Sequence, residues 1–300
     1  GEPLCNSWIT VDGGRIKAVG KSNDYLHSGI DLGSVAIIPG LVNAHTHLEL
    51  SHLRGRVPRA KDFIKWVRSL ILNRNKFHDQ DNLNIEQAAI NGIKEAKASG
   101  TALVGDISNT LLTVKLMHEA SLGGVVFHEL LGFDMTEVKL FIREARKKID
   151  ALSVFSNIRI SLAPHAPYSV SVEMFREIRR DLDAHPDVVT RVHLGESAEE
   201  LELVAFGTGA WREELEILGV WTDTWKAAGE TPVEYLVNLG FLDQQVLVVH
   251  GVHFRELDLR ELAHLGVSVV ACPRSNKYVG AGSPPLASFY EAGLNVAIGT

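Results

Sequence analysis

Pro39-Gly40-Leu41-Val42-Asn43-Ala44-His45-Thr46-His47-Leu48-Glu49 is the stretch on which the reading of this chain turns. An apolar run, Val35 to Ile38, leads into it and predicts a strand over Val35–Asn43. Residues two apart on a strand share a face, so His45 and His47 project together, placed for two imidazoles to grip one metal ion. A lone His-x-His is more often a satisfied polar residue at a strand end. The rest of the chain decides between the two.

Outward from this stretch, apolar β-rich runs alternate with helical patterns. Further strands are predicted at Thr101–Asp106, Gly124–Glu129, Ile158–Ala163, Val188–His193, Val246–His250, Val267–Ala271 and Leu294–Ile298, which makes eight with the first. Helices are predicted over Asn84–Ser99, Thr136–Ile149, Val172–Leu182, Thr231–Leu239 and Leu257–Leu265. Strand–helix alternation repeated eight times points to a (β/α)8, TIM-like barrel in the α/β class. The alternative is an open doubly wound sheet, but no G-x-G-x-x-G follows the first strand. Residues 1–34 differ. There Trp8–Val11 and Ile16–Val19 flank the turn signal Asp12-Gly13-Gly14, a hairpin too small to bury much alone. The division is therefore 1–34 as part of a small β domain and 35–300 as the barrel.

Composition narrows the function. The 300 residues are 45% hydrophobic and 22% charged, enough apolar material for one large core. The net charge of −7 disfavours nucleic acid or an anionic membrane surface as partner. Cys5 and Cys272 are the only cysteines and lie far apart, which fits a reducing, cytoplasmic setting. No run of about 18 apolar residues predicts a membrane span.

In a barrel the chemistry sits where strands end. His45 and His47 close the first predicted strand, His165 follows the fourth, His193 ends the fifth, His250 ends the sixth, and Asn276 follows the seventh. With 13 histidines in the chain, random placement would not put one at so many strand ends. Three neutral imidazoles, His45, His47 and His193, suffice to hold a divalent ion and leave a position for water. Such an ion brings the pKa of its water to about 7. Glu196, just past His193, is placed to take the water's proton and pass it on. His250 is placed to hydrogen-bond the nucleophile and fix its direction; a capping or core histidine is the competing account.

These residues carry a family resemblance. Pro39 to Gly55, with His45-Thr46-His47 and Leu53-Arg54-Gly55, resembles the amidohydrolase superfamily, more narrowly its cytosine deaminase / chlorohydrolase (triazine hydrolase-like) branch. His193-x-x-Glu196, Pro164-His165-Ala166-Pro167-Tyr168-Ser169 and Ser275-Asn276 are similar to that branch, and the likeness covers nearly the whole chain. It implies a barrel enzyme with one divalent ion, zinc first and iron(II) second, that hydrolyses an amino or occasionally a halogen substituent on a ring carbon. It also implies that residues 1–34 belong to a β-sandwich built from both ends of the chain. In the family an Asp after the eighth strand joins the metal ligands. Here the sequence stops at Gly299-Thr300, so a longer protein is expected, with the last barrel helix outside this stretch. Binuclear branches use a Lys on the fourth strand; Ile158–Ala163 has none, which favours a single ion.

The expected substrate contacts follow. Glu49 lies two residues past His47, with a surface carboxylate as the alternative. Trp66 resembles an aromatic that the family lays against substrate, with a core tryptophan as the alternative. His165 touches substrate, since the resemblance already fills the ligand set. Arg274 offers a fixed fork to a carboxylate or phosphate, or else a surface ion pair. Asn276 contacts substrate or holds its loop. The Glu49 and Arg274 pattern resembles that of deaminases of modified adenosines. The expected reaction is deamination of a purine-, pterin- or pyrimidine-like ring, with a small heterocycle as the partner and a homodimer compatible with it. Hydrolysis of a cyclic amide or a ring carbon–halogen bond, or a barrel that binds metal or ligand without catalysis, are the alternatives.

Overall fold

The structure is a computed structural model that describes residues 2–21, 29–78 and 82–300. It divides into two compact units, Gly1–Pro39 and Gly40–Thr300.

The first unit is built on an antiparallel hairpin of β1 (Ser7–Asp12) and β2 (Arg15–Lys21). Its turn falls on Gly13 and Gly14, both left-handed at φ 56° and 73°, a conformation that glycine adopts without steric cost. Trp8 Nε1 donates to the Lys21 carbonyl at 2.8 Å and ties the two strands at their far end.

Among the described residues the second unit holds eight parallel-type strands. They are β3 (Leu41–Thr46), β4 (Thr101–Ser108), β5 (Gly123–Leu130), β6 (Ile158–Pro164), β7 (Thr190–Leu194), β8 (Val246–His250), β9 (Ser268–Ala271) and β10 (Asn295–Ile298). They pair in parallel as two four-stranded sheets, in the orders β3-β4-β5-β6 and β7-β8-β9-β10. Hydrogen bonds link the sheets at both margins. His193 N donates to His165 O at 2.9 Å on one side, and Thr300 N to His45 O at 2.7 Å on the other.

One strand differs from expectation. Val35 to Ile38 belongs to no strand or ladder, and the pairing begins at Leu41, whose N–H donates to Gly100 O at 2.9 Å. Pro39 has no N–H to give, so it separates the apolar run from the sheet. The other seven predicted strands lie within two residues of the observed ones at each end, the larger differences being the start of β7 and the end of β4.

The helices between the strands are α1 (Phe63–His78), α2 (Asn82–Ala98), α3 (Leu112–Glu119), α4 (Val138–Asp150), α5 (Val172–Asp183), α6 (Ala198–Phe206), α7 (Ala210–Ile217), α8 (Pro232–Asn238), α9 (Glu256–His264), α10 (Pro273–Val279) and α11 (Leu286–Glu291). Local chemistry starts several of them. Ser171 accepts from Met174 N at 3.2 Å, and Thr231 and Glu234 make a reciprocal capping box with Pro232 in the first turn. α5 then buries Met174, Phe175, Ile178 and Leu182, one stripe of a 3.6-residue repeat. Helices and sheets share one large core, while Ile107, Phe127 and Ala163 form a smaller cluster from β4, β5 and β6. Among the described residues no helix is long and apolar enough to cross a membrane.

Candidate active site

The strand ends open into a cavity of about 520 Å³. Its floor is polar and its walls are largely aromatic. Phe63 and Trp66 come from α1, Trp211 from α7, and Phe133 and Tyr168 from loops after β5 and β6.

His45 sits where the β3–β4 ladder loses register, between Asn43 and Thr46. Such an irregularity re-aims a side chain at the end of a strand. The rings of His45 and His193 stand 4.9 Å apart, and their Nε2 atoms face each other at 3.3 Å. His250 stacks on His193 at 5.2 Å. His250 also adopts φ +84°, a strained conformation for a residue with a Cβ, at a cost of about 1–3 kcal/mol. Donor atoms of His45, His193 and His250 all lie within 4.8 Å of one another. His47 is beside them, its ring 4.9 Å from that of His45 and 5.8 Å from that of His193, but its donor atom is not in that closest trio. The cause is local: after Thr46 the chain turns into a 3₁₀ helix, Leu48–Leu53.

Burial keeps these imidazoles neutral. It holds His45 and His193 well below the usual range, with neighbouring positive charge adding to the effect. Burial likewise lowers His250 to about 3 and His47 to about 4, the latter against the opposing charge of Glu129. Neutral imidazole is the form that ligates metal, and lone pairs that converge without another cation between them suit a borderline divalent ion. The residues present therefore fit such an ion.

Glu196 is the acid of the floor. Burial, helped by the charge of Glu200, pushes its carboxyl up to about 8. It lies 3.4 Å from His250 Nδ1 and accepts from Asn276 Nδ2 at 3.2 Å. Glu200 holds the loop beneath, accepting from Gly195 N and Glu196 N at 3.0 Å each.

A second buried carboxyl, Glu129, closes β5. Burial opposes its ionisation, but the guanidinium of Arg191 outweighs that and holds it well below the carboxylate range. Arg191 is 1% exposed and ion-paired to Glu129. It also lies 2.8 Å from His193 Nδ1. Donor atoms of Glu129, His165 and His193 form another close trio, but Arg191 already contacts two of the three and supplies the positive charge there. Asn109 Nδ2 takes the remaining Glu129 oxygen at 3.1 Å.

Of the residues expected at the site, His45, His47, Trp66, His165, His193, Glu196 and His250 line the cavity. Three do not. Glu49 is buried away from it and accepts from Ser108, Asn109 N (3.0 Å) and Thr110 Oγ1 (2.6 Å). The strand alternation that placed it beside His47 has already ended in the 3₁₀ turn. Arg274 is exposed and borders a separate depression with Leu41 and Ile298. It follows Pro273 in the first turn of α10, where Asn276, two residues on, is the one that points inward. Asn276 is fully buried and touches Glu196 and His250 instead of the cavity.

Residues 36–300 match the profile of the Amidohydrolase family. The chain belongs to this family. The TIM-barrel type of fold that goes with it agrees with the alternating parallel strands and helices. This amidohydrolase is 28% identical to the 5-methylthioadenosine/S-adenosylhomocysteine deaminase of Pyrococcus furiosus, over 99% of this chain and 66% of that protein. It is 28% identical to the aminodeoxyfutalosine deaminase of Deinococcus radiodurans, over 97% and 71%. Among solved structures, the Helicobacter pylori aminofutalosine deaminase in complex with methylthio-coformycin superposes with a TM-score of 0.82 at 26% identity, covering 99% of this chain and 72% of that one. The chain spans 64–66% of the length of its Pyrococcus furiosus, Thermococcus kodakarensis and Thermococcus sibiricus relatives.

Two polar residues of the amidohydrolase site went unread in the sequence. Glu129 is the penultimate residue of β5, near a strand end like the histidines. Arg191 is two residues before His193 on β7, and so shares its face. Both signals were present; neither reveals by itself that the two would pair.

Proposed function

We propose that this chain carries the active site of a metal-dependent aminohydrolase that replaces the ring amino group of a modified adenosine by oxygen and releases ammonia. The observation that carries this reading is Glu196, a buried acid pushed up to about 8 and set 3.4 Å from a neutral imidazole at the floor of the cavity. A carboxyl with that poise both takes and returns a proton near neutral pH. The names of the Pyrococcus and Deinococcus relatives, and the methylthio-coformycin in the Helicobacter structure, support a purine nucleoside as the substrate class.

His45, His47 and His193 would hold the ion, zinc first and iron(II) second, because neutral imidazoles suit both. The ion, when bound, acidifies water and so supplies a nucleophile at neutral pH. The protein does the rest. Glu196 takes one proton of the attacking water and delivers it to the ring nitrogen; the second, from the hydroxyl then carried by the ring carbon, passes through Glu196 to the amine, which leaves as ammonia. His250 orients the attack. His165, whose Nδ1 is 2.6 Å from Ser169 Oγ, faces the substrate's ring edge. Trp66, Phe63 and Trp211 cover the apolar part of the nucleoside and keep bulk water out.

We further infer that the two four-stranded sheets close into one (β/α)8 barrel, that the hairpin unit is part of a small β-sandwich, and that the enzyme is cytoplasmic. Both Cys5 and Cys272 are free thiols, which suits a reducing compartment.

The test is ammonia release by the zinc-loaded protein across adenosine, 5′-substituted adenosines, aminopterins, cytosine and a halogenated triazine. Turnover confined to the adenosines is the expected result. Halide release from the triazine, or no ammonia from any amine, would overturn the reading.

A further inference from the structure

α1 gives the cavity one stripe of side chains, Phe63, Trp66, Val67, Leu70, Ile71 and Arg74, at the spacing that keeps residues on one face of a helix. All but the last are apolar. The last is a guanidinium, about 17 Å along the axis from Phe63. Arg74 is half-buried, and of its five N–H donors only one has a partner among the described residues: Nη2 donates to Asn109 Oδ1 at 2.8 Å. We propose that Arg74 is the anion-binding end of the substrate site, so that the modified adenosine carries a substituent that is apolar along its length and ends in a carboxylate.

The charge balance of the cavity supports this. Arg74 is the only lysine or arginine among the described residues that line it. Two carboxyls line it as well, Glu129 and Glu196. Glu196 keeps its proton, and Glu129 is neutralised by Arg191. One positive charge is left without a counterion, in a chain whose net charge is −7. Drawing a guanidinium partly out of water without a partner costs free energy, and a carboxylate set against its fork offsets that cost with two parallel hydrogen bonds.

A surface arginine free to swing through solvent is the competing account, and Asn109 argues against it. Its N–H donates to Glu49 Oε2 at 3.0 Å, and the same buried carboxylate accepts from Thr110 N at 3.2 Å and Thr110 Oγ1 at 2.6 Å. Asn109 Nδ2 donates to the Glu129 carbonyl and to Glu129 Oε2, both at 3.1 Å. The amide oxygen is thereby aimed at Arg74 and holds the guanidinium against the wall. Glu49, away from the cavity, braces the loop that aims the arginine.

One guanidinium balances one charge. Arg74 stands two hydrogen bonds from ionised Glu129, so a phosphate, with nearly two negative charges at neutral pH, would leave an excess beside an anion. A carboxylate leaves none. The apolar residues that precede Arg74 on the same face favour an alkyl or aryl link to that carboxylate over a hydrophilic one.

The adenosine part of this proposal rests on the deaminase reading; the anion site does not, and two measurements separate them. The first compares 5′-butylthioadenosine with its match ending in a carboxylate, 5′-(3-carboxypropylthio)adenosine, as substrates of the zinc-loaded protein. kcat/KM is expected to favour the carboxylate by about thirtyfold, with the same chain ending in a phosphonate below the carboxylate. Arg74→Gln, which keeps a donor for Asn109 Oδ1, should bring the carboxylate-to-neutral ratio near one. Arg74→Lys, which keeps the charge and loses the fork, should retain part of it. The second measurement needs no turnover. Tryptophan fluorescence, with Trp66 and Trp211 in the cavity wall, should show hexanoate binding about tenfold or more tighter than hexanol in the parent, and no such preference in Arg74→Gln. A parent that treats the carboxylate and its neutral match alike, a preference that survives Arg74→Gln, or a phosphonate ahead of the carboxylate overturns the proposal. No ammonia from either nucleoside, together with a hexanoate preference that Arg74→Gln abolishes, would refute the deamination and uphold the anion site. The comparisons within the parent protein need no variant to fold.

Discussion

Glu196 and Glu129 sit on two walls of one cavity, both buried, and they titrate in opposite directions. On the Glu196 wall the neighbours are a neutral histidine, an amide and a second carboxyl, so the proton stays. On the Glu129 wall a guanidinium lies against the carboxylate, so the proton leaves. Burial alone does not give a carboxyl its role. The charge beside it does, and it separates a proton carrier from a fixed anion.

The comparison can be broken most sharply at Glu196. Glu196→Gln keeps the shape and removes the titrating group; it should lower ammonia release by up to about 10⁴-fold while the zinc content stays that of the parent. Activity within tenfold of the parent would end the assignment. On the other wall, Arg191→Met strands a buried carboxylate and should cost about 3–5 kcal/mol in denaturant unfolding. Adding Glu129→Gln should restore most of that loss, a coupling that a double-mutant cycle measures directly. Equal and additive losses would show that the pair is not a unit.

The pH response of metal-free protein separates the walls next. Glu196 keeps its proton in the fold up to about 8, whereas the unfolded chain loses it near 4.5. Its stabilising share is therefore whole below the lower value and is lost as pH rises through the upper one. Glu129 is depressed, so its share is present above the ordinary carboxylate pKa and is lost as pH falls. The difference in thermal stability between the parent and Glu196→Gln, in which the histidines common to both cancel, should show the Glu196 share falling by about 2 kcal/mol from pH 6.5 to 8. A curve that is flat or rising over that window would contradict the account of Glu196. The smallest effect is expected at Ser169→Ala, which removes the hydroxyl beside His165 Nδ1: about 1 kcal/mol, read as a severalfold rise in KM with kcat preserved.

What could be read in the sequence followed from periods of two and from strand ends. His45 and His47, His193 and His250 were legible because each closes an apolar run, and the cavity is where such runs finish. Glu49 was misplaced by trusting the same alternation beyond Thr46, where a 3₁₀ turn replaces it. Val35 to Ile38 looked like the start of β3, but a proline interrupts the hydrogen bonding before the ladder begins. Arg274 and Asn276 share one short helix, and their opposite directions depend on where its first turn starts. The Glu129–Arg191 pair joins residues 62 apart, a partnership that no local pattern encodes.

Arg191 gives this cavity a positive charge that is part of the chain itself. A chelator can remove an ion bound among the histidines, but it cannot remove a guanidinium anchored in β7. Stripped protein would thus keep one side of its electric field, with Glu129 still ionised against it. An empty site of this kind is already polarised and waits only for its exchangeable half.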